Sequence, residues 1–168
     1  MKLTWVRLCN FQSCGPAPLR IGFNDMTFLL GPNGAGKTAV LQALSRMFGA
    51  DPTLRRVRRA DFHVPIGEAG EPNKARTLWV EAQFEFPELL DDSGLHATVP
   101  GHFAHMQLEA ADGVPRIRVR LTATLDADGE IEERGPAGPG GGAVEAAAGE
   151  EEIGAAVGPP PHPGGTPT

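Results

Sequence analysis

Apolar and polar positions along the first part of the chain fall into short patterns that each name an element. In residues 2–10, Leu3, Trp5, Arg7 and Cys9 alternate with Thr4, Val6, Leu8 and Asn10, the period of a β-strand. The segment Phe11–Pro18 carries Ser, Gly and two prolines and reads as a loop. Leu19–Phe23 is a second short strand, and Asn24–Asp25 marks a turn. Met26-Thr27-Phe28-Leu29-Leu30 is a short apolar run, the pattern of a strand buried on both faces. From Lys37 to Phe48 the period changes. Val40, Leu41, Leu44, Met47 and Phe48 share one helical face, Gly49 suits a C-terminal cap, and Pro52 stops the helix from resuming.

A basic stretch follows, Leu54–Arg59, and then a loop over residues 64–75. Thr77–Phe86 alternates, with Leu78, Val80, Ala82, Phe84 and Phe86 facing one way and Thr77, Trp79, Glu81, Gln83 and Glu85 the other. Phe103–Ala110 is a further candidate strand. Arg116–Leu125 alternates again, with Ile117, Val119, Leu121, Ala123 and Leu125 opposite Arg116, Arg118, Arg120, Thr122 and Thr124. Asp128-Gly129 is a hairpin signal, after which Ile131 returns the chain.

At about Gly135 the pattern stops. The last 34 residues hold 10 Gly and 7 Pro, with only Val144, Ile153 and Val157 as aliphatics larger than Ala. Such a segment buries too little surface to offset its ordering entropy, so disorder is expected over 135–168. Two readings of it stay open: an out-of-frame continuation, or a natural Gly/Pro/Ala-rich linker. The chain's net charge of -6 changes meaning with this division. All 15 Lys and Arg and 17 of the 21 acids lie in residues 1–134, which are therefore close to neutral. The two cysteines, Cys9 and Cys14, fit no metal or redox spacing. No apolar run approaches the roughly 20 residues of a membrane helix, and the N-terminus has no signal-peptide pattern. These features lead to the expectation of a cytoplasmic protein without a membrane span.

The chemistry is carried by Gly31-Pro32-Asn33-Gly34-Ala35-Gly36-Lys37-Thr38, which satisfies GxxxxGK[ST]. Glycines let the backbone wrap a phosphate without Cβ clashes, so that several N–H groups converge on it. The helix N-terminus adds partial positive charge. The expected cofactors are ATP and Mg2+. Asn33, Gly34, Ala35, Gly36, Lys37 and Thr38 are the candidate binding residues, Lys37 acting on the β- and γ-phosphates and Thr38 on the metal. The motif alone leaves ATP and GTP both open.

A strand ending in Asn10-Phe11-Gln12-Ser13, placed before this P-loop, resembles the N-terminal lobe of the ABC-type ATPases that work on DNA, the SMC, RecF and OLD group. Within that group, Arg59-Ala60-Asp61-Phe62-His63, the strand from Trp79 to Phe86, and Arg116–Leu125 running into Gly129-Glu130-Ile131-Glu132-Glu133 resemble OLD-family ATP-dependent endonucleases. The resemblance covers roughly residues 1–134. It implies an α/β P-loop NTPase lobe with a mixed and antiparallel sheet, followed by a disordered tail. It further implies a homodimer for ATP hydrolysis, and DNA as the partner of the full-length family protein, whose C-terminal part is a Toprim nuclease.

There are departures. Gln12 stands where many relatives carry a base. No apolar run ends in Asp-Glu as a Walker B strand would; Leu121–Asp126 alternates into a hairpin and is rejected. No LSGGQ-like signature and no Toprim acidic motif is found. The P-loop is therefore read as one half of an ATP site, competent to bind but not to turn over alone. A non-catalytic nucleotide-binding remnant is the principal rival. An ABC transporter subunit and a P-loop kinase rank below it.

Weaker features have blander readings. Arg55, Arg56, Arg58 and Arg59, and separately Arg116, Arg118 and Arg120, are candidate DNA contacts or solvated charge. Asp61 and Gln83 are candidates to approach the nucleotide's metal, although Gln83 lies mid-strand. His102 and His105 have HxxH spacing without completing partners.

Overall fold

The structure, a computed structural model, describes residues 1–68, 74–90 and 113–135. Strands β1 (Lys2–Cys9), β2 (Leu19–Gly22), β3 (Arg76–Glu85), β4 (Arg116–Leu125) and β5 (Ile131–Arg134) form one sheet in the order β2-β1-β3-β4-β5. Helix α1 (Lys37–Phe48) is followed by a short helix α2 (Pro52–Arg55) and a 3-10 turn at Arg59–Asp61. Every strand pairing is antiparallel. The parallel component of the expected mixed sheet is thus not found among the described residues.

The alternating strands behave as their patterns require. β3 and β4 pair in register from Arg76↔Leu125 to Glu85↔Arg116. Leu78, Val80 and Ala82 then line up with Leu121, Ala123 and Leu125 on one face. Val6 and Leu8 of β1 and Ala39, Val40, Ala43 and Met47 of α1 complete the same core cluster. Full burial of each large apolar side chain here is worth about 1.5–3 kcal/mol. The hairpin after β4 closes as expected. Asp126 Oδ1 accepts from the N–H groups of Asp128 and Glu130 at 3.0 and 2.8 Å, and Gly129 takes a φ of 91°.

Four expectations are corrected. β1 does not alternate strictly. Its pairing with β3 shifts between Leu3 and Trp5, so Leu3 lies opposite Phe84 on the core face while Trp5 lies opposite Gln83 on the other. Met26–Leu30 is not a strand. Met26, Phe28 and Leu30 are 73%, 75% and 90% exposed, because among the described residues no strand pairs with this segment.

In α1 the buried face is Ala39, Val40, Ala43, Arg46 and Met47, whereas Leu41 and Phe48 turn outward. Ala39 and Ala43 are buried in the shared core, small residues that a pattern of large apolar positions passes over. Phe48 still meets Phe84 edge to face, with ring centroids 5.4 Å apart. Lastly, helical structure does resume at Pro52; Gly49 is the expected C-cap of α1, with an ordinary φ of -53° and its N–H donating to Ser45 O at 2.9 Å. It is needed because a Cβ there would sit 2.6 Å from the Ser45 carbonyl oxygen. Pro52 occupies the first turn of α2 under an Asp51 cap, a position that suits its missing N–H.

The candidate strand Phe103–Ala110, the histidines His102 and His105, and the tail from residue 136 onward lie outside the described residues. No helix among the described residues is long and apolar enough to cross a membrane.

Candidate nucleotide-binding site

The chain enters the P-loop from the 26–30 segment, exposed except for Leu29, which packs against the core, and leaves it as α1. Gly34 and Gly36 take φ values of 85° and 87°, in the left-handed region that residues with a Cβ avoid. The Ala35 N–H donates to the Pro32 carbonyl at 3.3 Å, which tightens the turn. Gly36 is the N-cap of α1. It supplies no side-chain cap, and no acidic residue stands in the first helical turn. The first N–H groups of an α-helix have no intrahelical acceptor, so this end offers donors and partial positive charge to an anion.

Lys37 completes the loop. Its Nζ donates to the carbonyls of Gly31 and Pro32 at 2.6 and 2.7 Å. The ammonium is thereby held across the glycine-rich turn instead of extending into solvent. Asn33, Gly34, Ala35 and Thr38 are exposed. The donor set suits a polyphosphate with its metal: backbone N–H groups, one lysine charge, one free-standing threonine hydroxyl, and no carboxylate in the first turn to repel phosphate.

A second segment, Asn10–Cys14, leans on the loop. A Cβ built on Gly36 would meet Ser13 Oγ at 3.5 Å and Cys14 Sγ at 3.7 Å. This segment has an unusual backbone, with φ 52° at Asn10 and 49° at Gln12. Such conformations persist where the surroundings over-determine them. Here they do. Phe11, fully buried, bridges to Phe62. The Gln12 N–H donates to Asp61 O at 2.7 Å and the His63 N–H donates to Asn10 O at 2.9 Å. His63 Nδ1 lies 2.7 Å from Gln12 O. Two separately noticed motifs, Asn10-Phe11-Gln12-Ser13 and Arg59-Ala60-Asp61-Phe62-His63, are therefore one structural unit. Burial pushes the Cys14 thiol above its ordinary value, with the Ser13 hydrogen bond acting the other way.

The side chains explain two sequence candidates. Asp61 is 1% exposed and faces Arg46, not the P-loop mouth. It accepts from Arg46 Nε at 2.7 Å, from the Arg58 N–H at 2.8 Å and from Gln12 Nε2 at 3.0 Å. Gln12 also donates to Gln42 of α1. The residue in the place of a basic group is thus committed to the interior. Gln83 sits on the sheet face opposite α1, bonded to Thr4 Oγ1 at 3.3 Å and receiving Arg118 Nε at 3.0 Å. Asp61 is spent on Arg46, Arg58 and Gln12, and Gln83 lies on the sheet face away from α1, so neither makes the approach to the P-loop expected of it.

Sequence reasoning missed Arg46, whose signal was a charged residue on the inward face of an amphipathic helix. It also missed the role of Trp5 and Trp79, each of which lies between two arginines. Arg20 and Arg118 flank Trp5, and Arg7 and Arg120 flank Trp79. Arg55, Arg56, Arg58 and Arg59 are exposed around the 3-10 turn.

Comparison with known proteins adds three findings. A family model described as "Protein of unknown function (DUF2813)" matches residues 1–134. The sulfate/thiosulfate import ATP-binding protein CysA of Vibrio cholerae serotype O1 is 28% identical over 154 aligned residues, taking in 73% of this chain. The chain spans 38% of that relative's length. A solved structure from work on ATP-driven dimerization and DNA-stimulated activation of SMC ATPases is 20% identical. It aligns with a TM-score of 0.43 over 81% of this chain and 71% of its own.

Proposed function

The chain belongs to the DUF2813 family, and from that premise we propose that it is an ATP-binding module of an OLD-like, ATP-dependent DNA endonuclease or a related DNA-repair ATPase. The observation that carries the reading is local. Gly34 and Gly36 hold left-handed backbone just before a bare helix N-terminus that begins with Lys37 and Thr38. ATP is favoured over GTP because the Vibrio relative is an ATP-binding protein. The OLD-like assignment and the DNA partner rest on the Asn10-Phe11-Gln12-Ser13 and Arg59–His63 motifs, which pack together beside the P-loop.

On this reading, residues 1–134 are the nucleotide-binding unit of a cytoplasmic protein and 135–168 a Gly/Pro/Ala-rich tail. The N–H groups from Asn33 to Thr38 bind and orient the phosphates. Lys37, whose Nζ donates to Gly31 O and Pro32 O, would supply a positive charge to the terminal phosphates. The Thr38 hydroxyl would hold Mg2+, which would neutralise phosphate charge. Asp61 and Gln12 position the loop and touch no ligand. On this reading the chain binds nucleotide in a homodimer, and hydrolysis would draw on a catalytic carboxylate and a signature helix carried by further segments of the longer family proteins.

Calorimetric titration of the 168-residue chain with ATP tests this. The expected result is saturable binding that Lys37→Ala weakens at least tenfold. Thr38→Ala should remove the gain in affinity that Mg2+ confers while leaving metal-free binding in place. Equal affinity of the wild type and Lys37→Ala would overturn the reading.

A further inference from the structure

The face of the sheet turned away from α1 has a composition that the P-loop reading does not use. The strand register gathers six arginines there, Arg134 of β5 among them opposite Thr122. Arg20, Arg7, Glu81 and Arg120 form one row across β2, β1, β3 and β4. Arg118 lies opposite Gln83, and Arg116 opposite Glu85. Among the described strands Glu81 and Glu85 of β3 and Glu132 of β5 offset them, so this face carries a surplus of positive charge on a chain whose net charge is -6.

The arginines are held in place. Arg20 and Arg118 stack over Trp5 at 5.4 and 5.3 Å, and Arg7 and Arg120 over Trp79 at 5.6 and 4.4 Å. Glu81, its side chain 3% exposed, lies 3.7 Å from Arg7 and 3.6 Å from Arg120. Arg20 is exposed, and the side chains of Arg7 and Arg120 are 32% and 43% exposed. Guanidinium planes fixed over tryptophan rings lose little further entropy when they bind, and their fork matches phosphate oxygens.

We propose that this outer sheet face binds the phosphate backbone of double-stranded DNA. Three features favour that occupant. The bases on this face are arginines apart from Lys2, and along β4 they repeat about every 6.8 Å. The row from Arg20 to Arg120 crosses three strand spacings, about 14 Å of backbone, long enough to meet more than one phosphate of a duplex. Trp5 is 5% exposed beneath its arginines and half-buried Trp79 lies under Arg7 and Arg120, so both rings are already stacked with guanidinium groups and not left for the base stacking that single strands use. The contact is with backbone and carries no sequence preference. It stands on the sheet and not on the P-loop.

The test is fluorescence anisotropy of a labelled mixed-sequence duplex with the 168-residue chain, without nucleotide, across a salt series. Wild type should bind with log affinity falling linearly in log salt, by about 0.9 per phosphate neutralised. Arg20→Gln with Arg120→Gln should flatten that slope by about two contacts and weaken low-salt binding at least tenfold. Arg120→Lys, which keeps charge but not the planar stack, should retain most of the slope. Lys37→Ala should bind DNA like the wild type, which separates failure here from failure of the ATP reading. The proposal is overturned if the wild type shows no salt-dependent DNA binding. It is also overturned if the double variant, folded by circular dichroism, keeps the wild-type slope, or if polyglutamate binds this face and the duplex does not.

Discussion

Arg46 and Asp61 form a nearly inaccessible ion pair, Nε to Oδ2 at 2.7 Å, that fastens α1 to the segment supporting the P-loop. Arg46 Nη1 also donates to Leu54 O at 2.8 Å, so one side chain gathers α1, α2 and the 3-10 turn. Removing one partner of such a pair leaves a buried charge without compensation, at a cost of about 3–5 kcal/mol. That is a large share of the roughly 5–15 kcal/mol by which a domain is stable. Asp61→Ala should therefore lower the urea midpoint sharply. The Arg46→Ala, Asp61→Ala double variant should lose clearly less than the sum of the singles. A double-mutant cycle in urea measures this, and a coupling energy near zero would show that the pair is incidental.

Three glycines should fail for two different reasons. At Gly34 nothing lies within 4 Å of a built Cβ, and at Gly36 the nearest atom is at an ordinary 3.5 Å, yet both have φ near +86°. Alanine at either should cost about 1–2 kcal/mol from backbone strain alone. The two costs should be alike despite their different neighbours. Gly49 has an ordinary φ but would place a Cβ 2.6 Å from a carbonyl oxygen in its own helix. Gly49→Ala should cost about 1–3 kcal/mol through a forced shift of the helix end. D-alanine, introduced by chemical ligation, separates the two mechanisms: it should restore stability at positions 34 and 36 relative to L-alanine.

What was legible in the sequence depended on whether a residue's role was local. The P-loop could be read because its glycine positions demand a backbone that few residues adopt. The alternation of Leu78, Val80 and Ala82, and of Leu121, Ala123 and Leu125, named two strands and their buried faces because period two is a property of the strand itself. Roles set by distant partners were not legible. The shift that moves Leu3 to the core face exists only in the pairing of β1 with β3. Whether Met26–Leu30 is covered depends on a neighbouring strand, and none of the described strands pairs with it. Asp61 looked like a metal-site candidate until Arg46 was found beside it. The Trp–Arg stacks join residues as far apart as Trp5 and Arg118.

Both cysteines should make the fold sensitive to alkali. Burial pushes the Cys9 and Cys14 thiols above their ordinary value of 9.0, against the opposing effects of Arg120 and Arg7 on Cys9 and of Ser13 on Cys14. In the unfolded chain the thiols ionise first. At pH above about 9 the native state thus holds more protons than the unfolded state, and stability falls as pH rises further. Below that range both states keep the thiols protonated and stability does not depend on them. The chain has no tyrosine, so no phenol titrates in the same window. Urea midpoints followed from neutral pH to about 10 should decline past 9, and Cys14→Ala should flatten part of that decline. Native Cys14, 7% exposed beside Gly36, should also react with a disulfide reagent far more slowly than in urea. Fast modification of the native chain would show that the Asn10–Cys14 segment opens away from the P-loop, and with it that the left-handed backbone at Gln12 is not held as tightly as its hydrogen bonds require.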